Sequence, residues 1–103
     1  MKVSLLYVDD CPNWQVADAR LTEALSLSGH SDLQVEHVLV TSDKQAQALY
    51  FLGSPTVIID GEDPFRSDEP RPFGLACRVY RSATGLAGSP SIDELVAAIS
   101  ARA

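Results

Sequence analysis

Cysteine is scarce in this chain: two among 103 residues, at positions 11 and 77. Two residues so far apart make no disulfide scaffold. Together with His30 and His37 they also lack the close spacing of zinc ligands, so no metal site is expected. Positive charge is short as well, with 8 Lys and Arg against 14 Asp and Glu and a formal net charge of −6. The basic residues are scattered and form no stripe, which argues against nucleic acid as a partner. No apolar run approaches the ~20 residues of a membrane span. One lysine and a short strand-like run at the N-terminus are too little for a signal-peptide core. The expectation is a soluble, cytoplasmic protein, with no membrane partner and with thiols kept reduced unless they are at work. Also missing are a Gly-x-x-x-x-Gly-Lys phosphate loop and a Gly-x-Ser-x-Gly nucleophile elbow.

Hydrophobic residues make up 46% of the chain, enough for one domain over residues 1–103 with a core of its own. Residues 3–8 are nearly all apolar and read as a buried strand. From Asn13 to Ser28, Trp14, Ala17, Leu21, Ala24, Leu25 and Ser28 recur at helical spacing, with Gly29 as the stop. Residues 33–40 alternate and then turn wholly apolar, as a second strand that grows more buried towards its end. A strand, helix and strand of these lengths imply a parallel pair with a right-handed crossover. Thr41 or Ser42 caps a helix running through Leu52, and residues 54–61 form a third strand entered through Pro55. A long loop covers 61–75, where Phe65 and Phe73 are candidate anchors. Residues 76–81 follow as a fourth strand antiparallel to the third. Gly85, Gly88 and Pro90 mark a turn. Ser91 and Glu94 have capping-box spacing before a last helix with Ile92, Leu95, Val96 and Ile99 on its apolar face. The order is β-α-β-α-β-β-α.

Cys11-Pro12-Asn13-Trp14 stands at the first strand-to-helix junction. Helix N-terminal amides favour an anion, and a thiolate is one. Proline suits the first helical position because its missing N–H would be unpaired there. Asp9 and Asp10 act the other way, since nearby carboxylates disfavour a second negative charge. Trp14 occupies the place where a Cys-x-x-Cys motif has its second cysteine, so a local dithiol cycle is excluded.

Cys11-Pro12, Gly53-Ser54-Pro55-Thr56-Val57 and the glycine-bearing turn before the last helix resemble a thioredoxin-like domain, and the likeness spans essentially the whole chain. More narrowly, the Asp60-Gly61-Glu62-Asp63-Pro64-Phe65 turn and the strand from Gly74-Leu75 through Cys77-Arg78-Val79-Tyr80 are similar to segments of small bacterial thioredoxin-like proteins of unknown function. Some of those carry an alkylmercury-lyase label. The resemblance implies an α/β fold with a central four-stranded mixed sheet and helices on both faces. It also implies a cis Ser54–Pro55 bond whose loop packs beside Cys11.

On this resemblance Cys11 is the catalytic nucleophile of a monothiol redox protein. Pro12, Trp14, Ser54, Pro55 and Thr56 would shape a substrate groove for a thiol- or disulfide-bearing protein or small molecule. The resolver would be an external thiol such as glutathione, with no bound cofactor. Cys77 is the possible second thiol, and sulfenic-acid sensing is open to Cys11 alone. Strand geometry puts Cys77 near the far start of the fourth strand, about five residues at ~3.4 Å each from Cys11. A disulfide needs Cα atoms within ~7 Å. Alternatives from other classes are a non-catalytic binding or adaptor module, possibly a homodimer, and thiol-based mercury handling. His37 is expected as a core or edge histidine with a satisfied nitrogen.

Overall fold

The computed structural model describes residues 1–49, 51–66, 78–82 and 85–102. Their elements are β1 (Val3–Tyr7), α1 (Asn13–Leu27), β2 (Glu36–Leu39), α2 (Asp43–Ala48), β3 (Thr56–Ile59), β4 (Tyr80–Ser82), β5 (Gly85–Ala87) and α3 (Ile92–Ser100). β1 is the centre of a mixed sheet ordered β2-β1-β3. It runs parallel to β2, with Leu5 opposite His37, and antiparallel to β3, with Leu6 opposite Thr56. β4 and β5 pair with each other as a two-stranded hairpin.

The pleat of β1 divides the core in two. Val3 and Leu5 face one side, where Val57 and Ile59 join Ala17, Leu21, Ala24 and Leu25 of α1 and Leu95 and Ile99 of α3. Leu6 faces the other side, with Val8, Cys11, Val40, Ala46 of α2 and Phe51. Helices therefore cover both faces. The fold is mixed α/β, and its sheet has three strands among the described residues. Trp14, Ile92 and Val96 are partly buried against the first cluster.

The helix ends follow local chemistry. Gly29, with φ +82°, ends α1 in a left-handed conformation that costs glycine nothing. Ser42 caps α2 by accepting the Gln45 N–H at 3.1 Å. Ser91 accepts the Glu94 N–H at 3.1 Å, and the Glu94 carboxylate accepts the Ser91 N–H at 3.1 Å, a complete capping box. Arg20 of α1 reaches across to the Ser89 hydroxyl at 2.9 Å and the Pro90 carbonyl at 3.2 Å, tying α1 to the entry of α3.

Several expectations change. β2 borders the sheet and has β1 as its one ladder partner, so Leu39 stays 41% exposed and burial resumes at Val40. α2 ends at Ala48, short of Leu52. The third strand stops at Ile59, where Asp60 (φ +52°) and Gly61 (φ +84°) turn the chain back and Glu62 pairs with Ile59 in both directions. That is the two-residue hairpin turn for which Asp-Gly is the preferred sequence. Residues 85–87, expected as part of a turn, form β5. Phe73, Cys77 and most of the 61–75 loop lie outside the described residues.

The capping box yields a direct stability test. Ser91→Ala should lower unfolding free energy by about 1 kcal/mol, measured by urea denaturation, with α3 the first element to fray.

Candidate functional site

β1 carries the chain to its C-terminal end, where Asp9 and Asp10 form an exposed turn and the Cys11 N–H returns to the Val8 carbonyl at 3.2 Å. Pro12 follows, exposed and with helical dihedrals, and α1 begins at Asn13 with no side-chain cap. β3 starts at the same end of the sheet because it runs antiparallel to β1. This places Ser54-Pro55-Thr56 beside Cys11. The Ser54–Pro55 peptide is cis.

Ser54 is the meeting point. Its hydroxyl oxygen accepts the Val8 N–H at 3.1 Å, locking the end of β1 to the entry of β3. Its carbonyl accepts the Cys11 thiol at 3.5 Å and the Arg78 N–H at 2.8 Å. Thr56 Oγ1 donates to the Gly53 carbonyl at 2.6 Å. The Tyr80 hydroxyl donates to the Pro55 carbonyl.

Burial alters the expected site. Cys11 is 1% exposed, Ser54 and Thr56 are at 0%, and Pro55 is among the fully buried side chains. Of the predicted set, Pro12 is exposed and Trp14 partly so. Trp14 stacks on Tyr7 with ring centroids 4.3 Å apart and meets His37 edge-on at 6.1 Å. His37 is an edge histidine, and its Nε2 pairs with Asp18 at 2.8 Å. Gly88 presses on the motif from the other side. A Cβ there would lie 2.4 Å from the Asn13 side-chain amide nitrogen, so a larger residue would make that side chain shift.

The residues missed from sequence are Arg78, Asp63 and Tyr80. The start of the fourth-strand segment was expected at the far end of the sheet. Arg78 instead hydrogen-bonds the same carbonyl as Cys11. Cys77 itself lies outside the described residues. The Arg78 guanidinium pairs with Asp63 (2.5 Å from Nη1 to Oδ2, 3.4 Å from Nη2 to Oδ1). It also donates to Thr56 Oγ1 at 3.3 Å and the Phe65 carbonyl at 2.8 Å, and it lies 4.5 Å over the Tyr80 ring. Phe65 meets Tyr80 edge-on, with centroids 5.6 Å apart. Their signal was already present as the Asp60–Phe65 and Cys77–Tyr80 motifs, but nothing in the spacing said that the two meet.

Among the described residues no group of three or more His, Cys, Asp or Glu is placed to hold a metal, and no helix is long and apolar enough to cross a membrane. A small cleft is lined by Leu49, Ile58, Gly61, Glu62, Asp63 and Arg66. Comparison with known protein families, with curated proteins and with solved structures yields no match.

Burial pushes the Tyr80 phenol well above its ordinary value; the Arg78 charge beside it works against that rise and Asp63 adds to it. The neutral phenol is therefore the folded form. On raising the pH, the unfolded chain ionises first, near pH 10. The stabilisation is complete below that pH and is lost progressively above it. Tyr80→Phe should flatten the loss of stability between about pH 9 and about pH 11 relative to wild type, measured by urea unfolding at each pH. A constant offset from the lost hydrogen bond to Pro55 is expected throughout.

Proposed function

We propose that the chain is a thioredoxin-like monothiol redox protein with Cys11 as nucleophile and an external low-molecular-weight thiol, such as glutathione, as resolver. The observation that carries this reading is the contact of the Cys11 thiol with the Ser54 carbonyl, at the junction of a strand, a helix and a buried proline turn. Trp14 in place of a second cysteine makes an intermolecular cycle the simpler route.

In that cycle Cys11 loses its proton to solvent. The thiolate attacks one sulfur of a disulfide, a new S–S bond forms to Cys11, and the other sulfur leaves as a thiolate. An external thiolate then attacks the substrate-derived sulfur of the mixed disulfide, and Cys11 leaves as the regenerated thiolate. Because Cys11 is 1% exposed, attack proceeds through a local opening around the thiol. Pro12 and Trp14, the two site residues that reach solvent, would receive the partner.

A second reading is favoured by one observation: the Arg78 N–H shares the Ser54 carbonyl with the Cys11 thiol. Cys77 directly precedes Arg78 in the chain. Resolution by Cys77 would release substrate thiol and leave an intramolecular disulfide, which the external thiol would then reduce.

Incubation with oxidised glutathione followed by intact-mass and peptide mapping separates these outcomes. The monothiol reading predicts one glutathione on Cys11 in wild type and in Cys77→Ser, and none at that position in Cys11→Ser. Resolution by Cys77 predicts instead the loss of two hydrogens in wild type, with the adduct seen in Cys77→Ser. No modification of Cys11 in any form would return the domain to the binding or adaptor class.

A further inference from the structure

Asp63 and Arg78 are buried, with side chains 6% and 3% exposed. A buried pair so placed is a weak source of net stability, because desolvation of both charges offsets their attraction. Its worth lies in what it holds in place. Asp63 Oδ1 also accepts the Phe65 N–H at 2.9 Å, so the carboxylate is held by its own turn as well as by Arg78. The guanidinium then spends donors on Asp63, Phe65 and Thr56, and its face lies on Tyr80. The backbone of the same arginine donates to the carbonyl that receives the Cys11 thiol.

β4 pairs with β5, while β3 pairs with β1. Among the described residues, the hydrogen bonds joining the 78–80 stretch to the entry of β3 are the Arg78 N–H to Ser54, the Arg78 guanidinium to Thr56 and the Tyr80 hydroxyl to Pro55. Two of the three come from Arg78 itself, and the third comes from the ring that its guanidinium covers.

We infer that the Asp63–Arg78 pair is a positioning latch that holds the Arg78 backbone against Ser54 and thereby keeps Cys11 inaccessible. It rests on the redox reading only for its biological purpose; the latch itself concerns access. Release of the pair frees the 78–80 stretch from the β3 entry and opens Cys11 while the β2-β1-β3 sheet stays folded.

The test is alkylation of Cys11 by iodoacetamide in a Cys77→Ser background, followed by mass spectrometry at increasing sub-denaturing urea, with global stability measured on each protein. Asp63→Asn removes the charge while keeping an oxygen for the Phe65 N–H. It should raise the alkylation rate at least tenfold in the absence of urea, with little urea dependence, as expected of a local opening. Asp63→Glu keeps the charge and should restore most of the protection. An unchanged rate in Asp63→Asn would overturn the inference. So would a rise matching the fall in global stability, or equal rates in the Asn and Glu variants. If Asp63→Asn does not fold, Arg78→Lys gives the same reading, since lysine keeps the charge but cannot make the fork. Faster alkylation without any glutathione adduct would leave the latch standing and remove the redox function. An adduct on Cys11 with unchanged alkylation would do the reverse.

Discussion

Three consecutive buried residues, Gly53, Ser54 and Pro55, present carbonyls outside the β1–β3 ladder, and each must find a donor. Gly53 is met by the Thr56 hydroxyl, Ser54 by the Cys11 thiol and the Arg78 N–H, and Pro55 by the Tyr80 hydroxyl. An unpaired carbonyl at such depth costs on the order of 1–3 kcal/mol. The architecture around the turn is the solution to this requirement. It draws the end of β1, the start of α1 and the segment leading into β4 to a single point. Asp63 follows because Arg78, once buried, needs a counter-charge.

The same requirement sets the place of Cys11 in the core against the nucleophilic role proposed for it. As a donor to Ser54 it is a member of the core, packed with Leu6, Val8, Val40, Ala46 and Phe51. As a nucleophile it must leave that position. A thiol is a weak donor. Its hydrogen bond is therefore the weaker of the two that the Ser54 carbonyl accepts.

Much of this arrangement was legible in advance where it rests on local periodicity. The apolar run of β1, the three-and-four spacing of Ala17, Leu21, Ala24 and Leu25, and the Ser91–Glu94 box each have one reading, and the structure keeps them. Cys11 beside Ser54 was expected from the thioredoxin-like resemblance alone; the physical reason, an antiparallel β3 that starts where β1 ends, had no signal in the spacing. Leu39 misled because an edge strand looks apolar yet is covered on one edge less. Asp60-Gly61 was a clear turn signal absorbed into a strand. Arg78 was hidden for a deeper reason. Contacts between a side chain and a backbone carbonyl far away in sequence have no period, and the end of the sheet at which a strand starts is set by packing. The four-stranded sheet remains a matter of the proposed family likeness; the described residues form three strands and a separate hairpin.

Trp14 is the chain's single tryptophan. It sits in the first turn of α1, stacked on Tyr7, edge-on to His37, and three residues from Cys11. With no second indole to blur the emission, its fluorescence belongs wholly to this corner. The indole thus reports optically on the packing of the first turn of α1 against β1, beside the motif that holds the thiol.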